Sequence, residues 1–222
     1  MVDQSLIGAV ERYYTTKVET HGATPRGVDW NGEESQRRRF EQLLRVISDV
    51  DGHLSINDFG CGYGSLLDSL EMPDLSYCGY DVSEAMIAAA RSTHSGDSRA
   101  SFVSDEQQLQ SADFTIASGI FNVRLEQPAD LWREYVLETI DKLAAISRHG
   151  MAFNALTSHA DADRMRPDLY YADPAVLLDY CLRRHSRDIS LHHDYELYEF
   201  TIIVRLDGRP PAKQSRRGPG NE

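Results

Sequence analysis

Apolar residues change their period near position 54 of this 222-residue chain. Ahead of it, Leu6, Val10, Tyr13, Tyr14 and Lys17 recur at helical spacing, which predicts an amphipathic helix over about 3–18. A glycine-rich loop from His21 to Gly32 follows, carrying Trp30 as its one large aromatic residue. A second helix over about 33–50 puts Phe40, Leu43, Leu44 and Ile47 on one face, with Arg37, Arg38 and Arg39 reading as a solvated face opposite. From residue 54 short apolar runs at 54–59, 75–80, 100–104, 114–118 and 151–156 read as strands. Helical patterns over about 65–71, 83–93 and 128–147 lie between them, and another starts at Asp173-Pro174. Such alternation predicts a parallel sheet covered on both faces. Extended runs at 187–193 and 196–206, joined through His193-Asp194-Tyr195, predict an antiparallel hairpin with a tight link.

The first strand ends in chemistry. Asp58-Phe59-Gly60-Cys61-Gly62-Tyr63-Gly64 places three glycines at alternate positions just before a predicted helix. Glycines allow a tight turn with no Cβ between the backbone amides and a ligand, and a helix start adds free N–H groups. A dinucleotide fingerprint needs its third glycine at position 65, where the chain has Ser65, so a nicotinamide-dependent oxidoreductase is the weaker reading. The second strand closes at Asp81, placed as an acid that accepts from ribose hydroxyls. Ser83 then caps the next helix.

Composition narrows the partners. The formal charge is −12, and 207–222, which read as a disordered tail, carry a net positive charge of their own. An acidic body argues against nucleic acid and for a small-molecule partner. Three scattered cysteines (Cys61, Cys78, Cys181) form no disulfide framework, and no signal or membrane-spanning pattern stands out, so a reduced, cytoplasmic, soluble protein is expected. A monomer or homodimer satisfies the pattern equally. His192 and His193 point to opposite faces of a strand, which speaks against a shared metal ion.

The glycine turn, the acid at Asp81 and the closing hairpin together resemble class I S-adenosylmethionine-dependent methyltransferases of the small-molecule type, over about residues 52–206. The resemblance implies a Rossmann-like doubly wound α/β sheet, mostly parallel, with an N-terminal helical lid over 1–50 and a cofactor-binding domain over 51–206. It implies that Asp58, Gly60, Cys61 and Gly62 line the methionine and ribose end of the cofactor, with Gly64 opening the helix. Asp81 would hold the ribose and Val82 pack on adenine. Asp105 would meet the adenine amino group, Glu106 would supply a neighbouring amide, and Ser118 and Gly119 would face the methyl group.

For the acceptor side, Asn122 is a candidate for orienting substrate, and His193 for a general base. Trp30 offers an aromatic face to a sulfonium, and Arg26 a guanidinium to the cofactor carboxylate. Tyr13, Tyr14, Tyr170 and Tyr171 are candidates for touching substrate. The expected activity is methyl transfer to an oxygen or nitrogen of a small metabolite, the alternative being a non-catalytic cofactor-binding scaffold.

Overall fold

The computed structural model describes residues 4–30, 32–48 and 52–207. Helices α1 (Gln4–His21) and α2 (Glu33–Leu43) precede β1 (Leu54–Phe59) and β2 (Leu75–Tyr80). Then follow α3 (Glu84–Thr93), β3 (Ala100–Val103), β4 (Ala112–Ala117), α4 (Ala129–Ala145) and β5 (Ser147–Leu156). The chain closes with α5 (Pro174–Arg184), β6 (Asp188–His192) and β7 (Glu199–Arg205).

The strands form one seven-stranded sheet in the order β3-β2-β1-β4-β5-β7-β6. The first five run parallel, while β7 is antiparallel to both β5 and β6. Strand order reverses between β1 and β4, and a crevice opens beyond strand ends at such a switch point.

Two-residue alternation divides the core between the sheet faces. Met151, Phe153 and Ala155 of β5, with Phe200, Ile202 and Val204 of β7, meet Trp132, Val136, Ile140 and Leu143 of α4. Ala152 and Ile203, with Ile56 and Ile116, serve the other face under Phe40 and Leu43 of α2. A fully buried side chain of this size stabilises by about 1.5–3 kcal/mol.

Four local expectations change. The helix expected over 65–71 is a single 3-10 segment, Ser65–Ser69, with Pro73 following close behind. The α-helical part of the second helix stops at Leu43 and continues as a 3-10 turn, Leu44–Ile47. β5 begins at Ser147, earlier than expected, because exposed Arg148 and His149 hide its start from an apolar scan. The hairpin link is not tight: 193–198 make an irregular loop with Glu196 at a positive φ of 58°. The tail expected at 207–222 lies, beyond Asp207, outside the described residues. Among the described residues, no helix is long and apolar enough to cross a membrane. No group of three or more His, Cys, Asp or Glu among them is placed to hold a metal ion.

Candidate active site at the switch point

The turn after β1 is built against the end of β2. Gly60 and Cys61 both donate their N–H to the Tyr80 carbonyl, at 2.7 and 2.8 Å. Gly60 lies at φ +82° and a Cβ there would collide with Ile120, so both conformation and space demand glycine. The next amide, Gly62, donates to Asp81 Oδ2 at 2.9 Å, while Ser83 N donates to Oδ1 at 2.9 Å. Each carboxylate oxygen keeps a further acceptor position for a ligand hydroxyl. Burial pushes the Asp81 carboxyl up to about 6, and the two amides oppose that shift. Asp58, equally buried, accepts the Tyr77 hydroxyl at 2.6 Å; burial pushes it up to about 7 despite that bond.

A cavity of about 800 Å³, counted with its open mouth, lies over this turn. Its floor is Phe59, Gly60, Gly62, Tyr80, Asp81 and Val82. Ile7, Val10 and Tyr14 of α1 roof it, and Tyr135, Thr139 and Lys142 of α4 close one side. Glu106 joins the wall and pairs with Lys142 at 3.0 Å. A narrow side crevice reaches from Trp30, Gly60 and Ser118 to Asp58 and Cys61. Burial raises the Tyr14 phenol and moves Tyr135 up to about 12, so these walls stay uncharged at neutral pH. Ser118 Oγ is buried without a hydrogen-bond partner where cavity and crevice meet. A free buried hydroxyl, two open carboxylate positions and a glycine floor fit a polar, nucleoside-bearing ligand.

The N-terminal segment reaches the site through specific ties. Thr15 Oγ1 and Ser83 Oγ lie 2.7 Å apart, joining α1 to the cap of α3. Asp29, in the left-handed conformation at φ 60°, takes Lys17 Nζ at 2.6 Å and the Tyr13 hydroxyl at 2.7 Å. These bonds fold the loop back onto α1 and project Trp30 over Gly119.

A second, wider cavity of about 1,510 Å³, open to solvent, lies beyond Trp30. Asn122, Leu156, Arg166, Tyr171, Tyr198 and Glu199 are among its walls. Tyr14, Val28, Trp30 and Gly119 line both cavities and form the boundary between them. Of its charged residues, Arg39 pairs with Glu199, Asp29 with Lys17, Arg166 with Asp168 and Glu196 with Arg38, while exposed Arg164 reaches only Asp163, at 3.8 Å.

Of the residues singled out in the sequence, Gly60, Gly62, Asp81, Val82, Glu106, Ser118 and Trp30 line the first cavity. Asp58 and Cys61 lie on its side crevice, Tyr14 on the boundary, and Asn122 and Tyr171 on the second cavity. Others stand elsewhere. The Asp105 side chain is exposed and caps a 3-10 turn by accepting Gln107 N at 2.9 Å. Arg26 is exposed within the 3-10 turn Pro25–Val28. Tyr13 is spent on Asp29. Tyr170 uses its N–H to bond the Asn122 carbonyl and packs at the core margin. Gly64 lies under His94 and Phe102, away from the cavities. His193 is exposed, near His159 and Phe200, outside both cavity walls.

Two groups escaped the sequence reading. Tyr135, Thr139 and Lys142 are spaced i, i+4, i+7 beside the core stripe of α4, a pattern visible in retrospect. Arg39 is not solvated: its guanidinium lies 4.1 Å from the Trp30 ring centroid and pairs with buried Glu199. An arginine run gives no hint that one member turns inward.

A parallel sheet with an antiparallel end hairpin and a glycine-floored crevice at the switch point defines a class I methyltransferase architecture. A family model described as "Methyltransferase domain" matches residues 57–144. The chain is 48% identical over 164 residues to a protein of Mycobacterium tuberculosis (strain ATCC 25618 / H37Rv) named "Putative methyltransferase Rv1506c", covering 73% of this chain and 98% of that one. It therefore belongs to the class I S-adenosylmethionine-dependent methyltransferases. Solved structures share the fold at low identity. Magnesium protoporphyrin IX methyltransferase from Synechocystis PCC 6803, with SAM bound, has a TM-score of 0.64 at 16% identity, covering 90% of this chain and 96% of that one. N-methyltransferase NodS from Bradyrhizobium japonicum WM9, in complex with S-adenosyl-L-homocysteine, has a TM-score of 0.63 at 16% identity, covering 89% and 98%.

Proposed function

We propose that the first cavity holds S-adenosylmethionine and the second holds a small-molecule acceptor methylated on oxygen or nitrogen. The observation that carries this reading is the meeting of the two cavities at Trp30 and Gly119. When bound, the cofactor supplies a methyl group activated by its sulfonium. The chain's own residues bind, orient and exclude water. Asp81 accepts the ribose hydroxyls on the positions left open by Gly62 N and Ser83 N. Val82 and Met86 pack the adenine, and Asp58 and Ser118 flank the methionine end. The Trp30 ring gives the sulfonium an aromatic neighbour.

Residues 4–30 act as the lid in this reading, since α1 and Trp30 complete walls that the sheet alone leaves open. Asn122 orients the acceptor from the second cavity. The pairing of most charges there within the protein favours a neutral acceptor over a strongly ionic one. Holding acceptor and methyl in line supplies most of what the protein must add.

Calorimetric titration with S-adenosylmethionine and S-adenosylhomocysteine tests the cofactor half. Micromolar binding of both is expected; no heat with either rejects it. Incubation with labelled S-adenosylmethionine and pooled neutral metabolites then tests the acceptor half, label transfer being the expected result.

A further inference from the structure

β5 carries an anomaly. Asn154 is fully buried within the apolar run Met151–Leu156, where an unsatisfied amide would be strongly unfavourable. Its partners explain it. Asn154 Oδ1 accepts Gly119 N at 2.7 Å, fixing the turn after β4. Asn154 Nδ2 donates to Glu199 Oε2 at 2.9 Å. The register makes this possible: Asn154 stands opposite Thr201 and Leu156 opposite Glu199, so Asn154 and Glu199 are diagonal neighbours on one face. Arg39 Nε donates to Glu199 at 2.7 Å, and the Arg39 guanidinium lies 4.1 Å from the Trp30 ring centroid. Trp30 Cζ2 comes back to within 3.0 Å of where a Gly119 Cβ would stand.

Gly119, Asn154, Glu199, Arg39 and Trp30 thus close a ring drawn from five separate segments. We propose that this ring sets the aperture between the cofactor and acceptor cavities, with Arg39, Glu199 and Asn154 as positioning residues for methyl transfer. The proposal rests on the two-cavity reading above. Both Glu199 carboxylate oxygens are engaged, by Arg39 and Asn154. Stability alone does not call for this arrangement, since apolar residues can replace a buried ion pair without loss. Its location does: Trp30 and Gly119 line both cavities, and the ion pair stands beside them on the wall of the second. Acceptor and cofactor would therefore feel the same ring.

The test reads Trp30 in the full chain. Trp132 is fully buried, so acrylamide-quenchable emission reports Trp30. In Glu199→Gln, quenching of Trp30 is expected to rise, because Arg39 loses the carboxylate that holds it on the ring. S-adenosylhomocysteine affinity by calorimetry is expected to fall about threefold, because a Trp30 ring no longer held by Arg39 must be ordered when the ligand binds. A merely structural pair would lower the melting temperature and leave both readouts at the wild-type value, and that result overturns the proposal. Should Glu199→Gln fail to fold, Arg39→Met/Glu199→Met replaces the pair by apolar side chains, with the same two outcomes deciding. If the wild type binds no S-adenosylhomocysteine, the two-cavity reading fails, and Trp30 quenching alone still decides whether the ring holds Trp30.

Discussion

The Gly62 amide donates to the Asp81 carboxylate at 2.9 Å. The glycine turn and the acid ending β2 are therefore one structural unit, fixed before any ligand arrives. Asp81→Asn tests what that unit does. An asparagine amide must turn its NH₂ toward either Gly62 N–H or Ser83 N–H, so one donor pair is set against itself. On the proposed cofactor pose, the ribose hydroxyls lose a charged acceptor as well. We expect S-adenosylmethionine affinity to fall at least about tenfold, near 1.5–3 kcal/mol for a hydrogen bond to a charged group. Calorimetry on a variant shown to be folded by circular dichroism checks it.

Cofactor affinity should also follow pH through the same group. Burial holds the Asp81 carboxyl up to about 6, and the ionised form is the better ribose acceptor. Affinity for S-adenosylhomocysteine should therefore rise between about pH 5 and 7 and then level off. A titration series at constant ionic strength checks this, and a flat profile removes Asp81 from ribose binding.

Stability of the cofactor-free protein should carry the opposite slope from Asp58. Its folded value of about 7 lies above the ordinary 3.8, so the protonated form is favoured by folding. That contribution is fully present below the ordinary value and is lost as pH rises through about 7. The shift corresponds to as much as about 4 kcal/mol. Asp58→Asn keeps an acceptor for the Tyr77 hydroxyl and removes the titration. Thermal unfolding across pH 4–8 should show a loss toward neutral pH in the wild type that is smaller in the variant, where Asp81, raised to about 6, still contributes its own part.

Gly60→Ala should be destabilising without touching any ligand contact by charge. Its φ of +82° is unfavourable for alanine, and the new methyl would collide with Ile120 Cγ2. A cost of about 1–3 kcal/mol is expected from backbone strain plus local displacement. Chemical denaturation checks it; a stability equal to wild type would mean that the turn relaxes freely.

Local chemistry made the sheet legible. The ends of β1 and β2 were readable because a glycine turn and an acid punctuate apolar runs there. The floor of the first cavity followed from the same punctuation. Long-range partnerships were not readable. Nothing in an Arg37-Arg38-Arg39 run says that Arg39 meets Glu199, 160 positions away, or that Asn154 supports Gly119. Those contacts arise from sheet register and helix docking, which no local window contains. Asp105 shows the converse error. Its place after β3 fits the motif, yet the side chain satisfies its own turn, a competing local bond open to any Asp at such a position.

That difference gives a last prediction, separating position in a motif from placement in the fold. Asp105→Ala removes an exposed carboxylate that caps Gln107 N and lines neither cavity. Loss of this cap should cost about 0.5–1 kcal/mol of stability at most, with S-adenosylmethionine affinity kept within about twofold. His193→Ala should likewise leave cofactor affinity unchanged, because the ring stands outside both cavity walls. Calorimetric titration of the two variants beside Asp81→Asn gives the comparison. A tenfold loss in Asp105→Ala would mean that the 106–108 turn rearranges around the cofactor and turns that carboxylate inward.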